Sequence, residues 1–486
     1  MSASAQPLPQ PEEQVPLVVD LDQTLVRGDM ALEGLVKVIG LGVRAWFTLL
    51  ALLLRGPAPT KAWLARRLAH RPSTLALREP VMAQIALARQ EGRPVILATA
   101  AHWRVAKRVA ALAGPFDAVL ASSYRRNLKG RTKLAAIQAH VGGPFDYIGD
   151  SPADRPIWQA SRIAYTVGVD TGVPQQQRLA PAPNPVRALA RALRPHQWAK
   201  NVLVFLPLAT SGELAHPAQI GHALLSFVCL SLIASSVYLV NDMLDIDADR
   251  IHPKKRRRPL AAGDLSIPLA VVVALVGTLT GLGAGLFWLG WPAFAALATY
   301  CALTVTYSLR LKAAMIADVL ALACLYTLRI AVGAAAIHVP VSFWLLLFSV
   351  FLFLSLGYLK RYIELRGSLR EEHELLSGRG YTPSDEMIVA MNGVAAGMVS
   401  LLVLALFAED MGHAGGRAGT YASPQLLWLL PLPLLYWLNR VWMMARRGEV
   451  DGDPVAFAIT DKKSLTVGLL LGLILLLAKF VALPMG

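Results

Sequence analysis

The chain has 486 residues, a formal net charge of +15, 55% hydrophobic and 16% charged residues, and a mean hydropathy of +0.48. That balance excludes an ordinary soluble protein, and its three cysteines, all inside apolar runs, exclude a disulfide or zinc framework and read as buried packing residues. The excess of Lys and Arg suits basic loops beside anionic lipid, so a bilayer is the expected partner and nucleic acid is not.

Residues 1–14 are polar and proline-rich and read as a disordered N-terminus. The first sixteen residues lack the basic and apolar regions of a cleaved signal peptide. Residues 15–180 read as a soluble α/β domain, 181–197 as a Pro- and Arg-rich linker, and 198–486 as an all-α polytopic membrane domain.

VPLVVDLDQTLV (residues 15–26) has the pattern of a buried strand ending in Asp20 and Asp22. Two aspartates two apart at a strand end point the same way and can share one metal and one phosphoryl group. PVILATAAH (94–102) is a second apolar run, reaching Thr99, and FDYIGDSPAD (145–154) is a third, ending in Asp150 with Asp154 four residues on. GRTKLAAI places Lys133 at the start of a helical segment, with Lys129 as the rival lysine. Three strands each followed by a polar group predict an open parallel sheet with its site at the strand ends. Residues 30–90 form a helical insert, in which LEGLVKVIGLGVRAWFTLLALLLRG is apolar enough for a cap or interfacial helix, interrupted by Lys37 and Arg44.

DxDxT, the strand-end Thr, the Lys and GDxxxD, in that order, resemble the haloacid dehalogenase (HAD) superfamily of phosphotransferases. The resemblance implies a Rossmannoid fold with Asp20 as nucleophile and Asp22 as general acid and base. It also implies that Thr99 and Lys133 hold phosphoryl oxygens, and that Asp20, Asp22, Asp150 and Asp154 form a Mg²⁺ site.

Nine membrane spans are expected, at about 200–214, 219–240, 267–288, 291–309, 315–337, 341–359, 387–408, 424–444 and 464–484. The loops 241–266, 310–314, 360–386 and 445–463 are basic and alternate with loops poor in Lys and Arg. With the soluble domain inside, an odd number of spans puts every basic loop on the cytoplasmic face of a bacterial-type inner membrane.

NDMLDIDADRIHPKKRRRPLAAG (241–263) follows the second expected span directly. If the helix continues, Asp242, Asp245 and Asp249 share one face and Asp247 falls off it into solvent. Clustered carboxylates at a membrane mouth need a compensating cation. Mg²⁺ with a diphosphate suits them; Lys254–Arg258 acting as a salt-bridge loop is the competing reading.

Asn241-Asp242-x-x-Asp245-x-x-x-Asp249 resembles the first diphosphate motif of the UbiA superfamily of membrane prenyltransferases. ALRPHQWAKNVLVFLPL (192–208), YSLRLK (307–312), DVLALACLYTLRI (318–330) and LKRYIELR (359–366) are similar to its decaprenyl-phosphate phosphoribosyltransferases. That branch implies phosphoribosyl pyrophosphate (PRPP) as donor, a polyprenyl phosphate as acceptor and pyrophosphate as leaving group. Catalysis would then fall to Mg²⁺ on Asp242, Asp245 and Asp249. Asn241, Arg194, His196, Lys200, Tyr307, Lys312, Asp318, Tyr326, Arg329, Lys360 and Arg361 are the candidate substrate contacts. A second motif, DxxxD, is incomplete here, because Leu322 stands four residues after Asp318. The alternative is prenyl transfer from a polyprenyl diphosphate to an aromatic acceptor, with a HAD domain of separate function. The fusion suggests sequential action, the HAD half removing the 5-phosphate from the lipid product.

Overall fold

Strand β1 (Leu17–Val19) is buried at all three residues, because a central parallel strand is covered on both faces. The computed structural model describes residues 15–67, 75–211, 213–340, 342–370, 380–412, 421–450 and 452–482, and the stretch 1–14 expected to be disordered lies outside them. The chain divides into two units, residues up to 193 with 239–272, and residues 194–238 with 273–486.

In the first unit, β1 is followed by helices α1 (Met30–Val38), α2 (Val43–Arg55), α3 (Pro57–Arg67) and α4 (Glu79–Gln90). The alternation then runs β2 (Val95–His102), α5 (Trp103–Ala113), β3 (Ala118–Ser122), α6 (Arg131–Val141), β4 (Asp146–Gly149), α7 (Arg155–Ala160), β5 (Ala164–Val167), β6 (Gln176–Ala180) and α8 (Pro185–Ala192). The six strands form one parallel sheet in the order β3-β2-β1-β4-β5-β6. The order reverses at β1, so Asp20 and Asp150 leave neighbouring strands at the switch point, where open α/β sheets bind ligands. Thr99 sits inside β2, just before a register shift against β3, and not at its last residue. At the opposite end of β4, buried Asp146 pairs with Arg93 and accepts from Arg162 Nε at 2.9 Å.

The insert forms the expected helices. Gly42 and Gly56, with φ of 86° and 106°, flank α2 in a backbone region costly for other residues. On α2, Trp46, Phe47, Leu50, Leu53 and Leu54 are all exposed.

The remaining helices are α9 (Leu206–Ser211), α10 (Pro217–Leu244), α11 (Ile246–Ile251), α12 (Ile267–Leu289), α13 (Trp291–Leu309), α14 (Ala317–Ala336), α15 (Phe343–Arg370), α16 (Glu386–Gly412), α17 (Pro431–Arg447), α18 (Pro454–Thr460) and α19 (Lys462–Phe480). Among the described residues, seven helices are long and apolar enough to cross a membrane: α10, α12–α16 and α19. The other two expected spans have a different form. Residues 200–214 are largely 3₁₀ turns (Pro195–Phe205) followed by the short α9, and 424–444 are 3₁₀ turns (Pro424–Leu429) followed by α17 of 17 residues. Prolines 207, 424, 431 and 433 remove backbone donors where a continuous helix would need them. The cysteines differ in burial: Cys229 is buried, Cys301 is half-buried, and Cys324 is exposed rather than a buried packing residue.

Asp146→Ala leaves Arg93 without its buried partner, which costs about 3–5 kcal/mol when a buried pair is broken. Thermal denaturation of the full chain is expected to show a midpoint lowered by about 5 °C or more. The Mg²⁺-induced shift described below should persist, since Asp146 lies at the other end of β4.

Candidate phosphate and diphosphate sites

The loop after β1 is held in a tight form: Gln23 has φ of 56°, and Arg78 donates to the Gln23 and Thr24 carbonyls at 3.0 and 3.2 Å. This loop delivers Asp20, whose carboxylate lies within 4.8 Å of those of Asp150 and Asp154. Lys133, in the first turn of α6, bridges the group at 3.1 Å from Asp20 and 3.0 Å from Asp154, and also meets the Tyr147 hydroxyl at 2.9 Å. Lys129 is exposed, so the geometry brings Lys133 and not its rival to the aspartates. Asp150 accepts from Thr24 Oγ1 at 2.8 Å, and buried Thr99 accepts from the Ala101 N–H at 2.9 Å.

Three carboxylates face one ammonium here. Burial pushes Asp20 up to about 6 despite the pull of Lys133, with Asp154 adding to the rise. Burial and the charge of Asp20 push Asp150 up to about 7. Asp154 Oδ2 is buried without a hydrogen-bond partner, so an oxygen is left for a hard cation. The donor set fits Mg²⁺, with Asp20, Asp150 and Asp154 as the holders.

Asp22 stands apart from that cluster. Its Oδ1 accepts the Met30 N–H at the start of α1, and burial, reinforced by Asp29, raises its pKa well above the usual carboxylate range. Lys61 on α3 reaches the same site, donating to the Ala100 carbonyl at 2.8 Å and to Asn127 at 3.4 Å. Burial lowers its pKa while Asp22 and Asp29 oppose the fall. Nothing in the sequence pointed to Lys61, because a lone lysine in a helical insert has no motif.

The acidic motif at the end of α10 belongs to the same unit. The helix breaks at Asp245 (φ −97°, ψ 11°), yet the Asp245 N–H to Asn241 and Asp249 N–H to Asp245 bonds, 2.9 and 2.8 Å, carry the helical path across the break. Asp242 and Asp249 are buried and share Arg258 Nη1, at 3.2 and 2.7 Å. Burial raises the pKa of Asp249, against the pull of Arg258. Asn241 Oδ1 is buried without a hydrogen-bond partner. Two carboxylates that converge on one nitrogen offer hard oxygen donors that suit a divalent cation as well as a guanidinium. Asp247 is not free in solvent as expected, because Lys37 holds it at 2.5 Å.

In the second unit, Lys200 and Lys360 meet Asp453 at 2.5 and 3.5 Å. Burial pushes the Asp453 carboxyl up, and the two lysines more than reverse this and hold it well below the usual range. Buried Arg329 donates to Asn201 at 3.0 Å and to the Tyr300 hydroxyl at 3.1 Å, and lies over the Tyr326 ring. Arg194 adopts a left-handed conformation (φ 51°) over the Tyr238 ring, and His196 is exposed. Lys312 is half-buried, and Tyr307 packs against the apolar cluster of Val204, Leu297 and Leu325. Asp318 and Arg361 are fully buried against each other at 2.9 Å, Asp318 also accepting from Tyr381 at 2.7 Å. They form a structural pair and offer no open phosphate contact.

The UbiA prenyltransferase family model matches residues 202–458, just over half of the chain. The chain belongs to the UbiA prenyltransferase family. The haloacid dehalogenase-like hydrolase model matches residues 17–159. This UbiA-family chain is 35% identical over 475 residues to the uncharacterized protein y4nM of Sinorhizobium fredii, covering 95% of this chain and 90% of that protein. It is 30% identical over 300 residues to the decaprenyl-phosphate phosphoribosyltransferase of Corynebacterium glutamicum, covering 60% of this chain and 86% of that one. A solved UbiA homolog from Archaeoglobus fulgidus bound to GPP and Mg²⁺ is 17% identical with a TM-score of 0.45, covering 60% of this chain and 97% of that chain. The chain is therefore an integral membrane enzyme that joins a transferase domain to a phosphohydrolase-type domain.

Because Asp20 and Asp150 have folded values above 3.8, their protonated forms favour the fold, and that contribution is lost as pH rises toward about 6 to 7. A cation that displaces these protons binds better at higher pH. The Mg²⁺-induced rise in thermal midpoint should grow between about pH 5 and pH 8, and Asp150→Asn should remove that pH-dependent part. A rise independent of pH contradicts the assignment.

Proposed function

We propose that the membrane half transfers 5-phosphoribosyl from PRPP to a polyprenyl phosphate, and that the HAD half then removes the 5-phosphate to give polyprenyl-phosphoryl-ribose. The observation that carries the first step is the single complete acidic motif. Asp242 and Asp249 converge on one nitrogen of Arg258, a position that a divalent cation can take, while Asp318, where a second cluster would start, is fully buried against Arg361 and Tyr381. A prenyl diphosphate donor calls for two such clusters. The Corynebacterium relative, named a decaprenyl-phosphate phosphoribosyltransferase, supports the same reading.

In this scheme Asp242, Asp245 and Asp249 would hold Mg²⁺, which would supply positive charge for the departing pyrophosphate. The C1–O bond to pyrophosphate breaks as a lipid phosphate oxygen bonds to C1. The attacking phosphate is already anionic near neutral pH, so no side chain has to remove a proton. Within the second unit, Lys200, Lys360 and Arg329 are the candidate cations for phosphate. An apolar cavity of about 460 Å³ in the second unit, lined by Leu206, Leu345, Phe348, Phe407 and Leu475 among others, suits part of the prenyl chain. We place residues 200–214 and 424–444 across the bilayer as interrupted spans, which restores nine crossings and puts the basic loops and the HAD half in the cytoplasm of a bacterial inner membrane.

In the second step Asp20 attacks the 5-phosphate and Asp22, whose burial favours the protonated form, gives its proton to the departing ribose oxygen. Asp22 then takes a proton from the water that cleaves the aspartyl phosphate. Lys133, Lys61 and Thr99 hold the phosphoryl oxygens. The apolar face of α2 suits a cap that works against lipid, which is where this substrate resides.

Membranes given labelled PRPP, Mg²⁺ and polyprenyl phosphate should form a lipid-extractable product that loses its 5-phosphate with time. Asp20→Asn should accumulate the 5-phosphorylated lipid, its removal slowed about 10³-fold or more. Absence of accumulation removes the second step. Asp245→Asn should lower PRPP consumption about 100-fold. Consumption of prenyl diphosphate and a phenol in place of PRPP favours the aromatic alternative.

A further inference from the structure

The segment that carries the diphosphate motif is held by the phosphatase cap. Helix α1 begins at Met30, bonded to Asp22, and one turn later presents Glu33. Arg250, the residue after Asp249, meets that carboxylate with both terminal nitrogens, Nη1 to Oε2 at 2.9 Å and Nη2 to Oε1 at 2.7 Å. The side chains of Arg250 and Glu33 are 4% and 2% exposed, so the pair is shielded from water. Arg250 Nε also donates to the Ala261 carbonyl at 3.1 Å, tying α11 to the chain that follows Arg258. A turn beyond Glu33 on α1, Lys37 holds Asp247.

The backbone around this pair is fitted to it. A Cβ at Gly28 would lie 1.8 Å from Glu33 Oε1 and 2.7 Å from Arg250 Nη2, so a side chain there would push the pair out of its present geometry. Gly263 has φ of 74°, and a Cβ there would lie 2.2 Å from the Arg27 carbonyl oxygen. Arg191 closes the same contact on Asp264 at 2.9 Å. Both ends of α11 and the loop beyond it therefore rest on the residues that follow Asp22.

We propose that Glu33 and Arg250, assisted by Lys37 and Asp247, are positioning residues for the transferase. The phosphatase cap fixes α11, and with it the direction of the Asp249 carboxylate and of the Arg258 loop that meets Asp242. This rests on reading Asp242, Asp245 and Asp249 as a Mg²⁺–diphosphate site. Without Glu33 the Arg250 guanidinium is left unpaired inside the protein, beside carboxylates needed for the cation. A shielded, two-pronged pair is the arrangement by which outer groups orient metal ligands.

The test uses Mg²⁺–pyrophosphate as probe, its binding to the purified full chain in detergent measured calorimetrically in an Asp20→Asn background that silences the phosphatase. Glu33→Gln and Arg250→Glu should each weaken binding about tenfold or more, and the swapped pair Glu33→Arg with Arg250→Glu should recover most of it. Lys37→Ala, at a partly exposed pair that leaves the fold intact, should cost about threefold. A role confined to the cap instead lowers p-nitrophenyl phosphate turnover in the wild-type background and leaves pyrophosphate binding alone. If Asp245→Asn abolishes binding but the Glu33, Arg250 and Lys37 variants bind like the parent, this inference falls and the transferase reading stands. If Asp245→Asn also leaves binding intact, both fall.

Discussion

The structure depends on carboxylates gathered where they cannot all be charged without a cation. Asp20, Asp150 and Asp154 share one lysine, and Asp242 and Asp249 share one nitrogen of Arg258. Like charges at such distances raise each other's pKa or recruit a metal. Asp154 Oδ2, in the first cluster, and Asn241 Oδ1, next to Asp242 in sequence, are buried oxygens without a hydrogen-bond partner. The fold supplies the rest: a sheet switch point holds one cluster, and a helix end with a short continuation holds the other.

These two sites explain why the halves can share a chain. Each handles phosphate, and each sets acidic residues against a few fixed cations. Their acids differ in purpose. In the proposed scheme Asp20 and Asp22 are chemical groups, one attacking and one moving protons, whereas Asp242, Asp245 and Asp249 serve a leaving group that needs charge and no proton. On the proposed function the Glu33–Arg250 pair gives the fusion a physical meaning beyond shared location, because Glu33 of α1 is bonded to Arg250, the neighbour of the proposed diphosphate ligand Asp249.

Much of this was legible in the sequence because the chemistry imposes spacing. A strand ending in DxDxT must place Asp20 beside the strand that ends at Asp150, and NDxxDxxxD keeps its acids on one helical path. Long apolar runs announced seven crossing helices, since hydrocarbon thickness fixes their length. The rest depended on tertiary contacts that leave no period. Lys61, Asp453 and the Glu33–Arg250 pair are brought in from distant segments, and single charged residues in helices or loops carry no signature. Residues 200–214 and 424–444 matched a span in hydropathy, yet their prolines favour 3₁₀ turns and short helices. Arg361 and Asp318 looked like substrate contacts, and only the structure shows them buried as an ion pair.

The most direct measurement is a Mn²⁺ titration of the purified full chain by electron paramagnetic resonance, with and without pyrophosphate. The account predicts two classes of site. One is lost in Asp150→Asn, and the other tightens with pyrophosphate and is lost in Asp245→Asn. A single class, or a pyrophosphate-dependent class that survives Asp245→Asn, contradicts it.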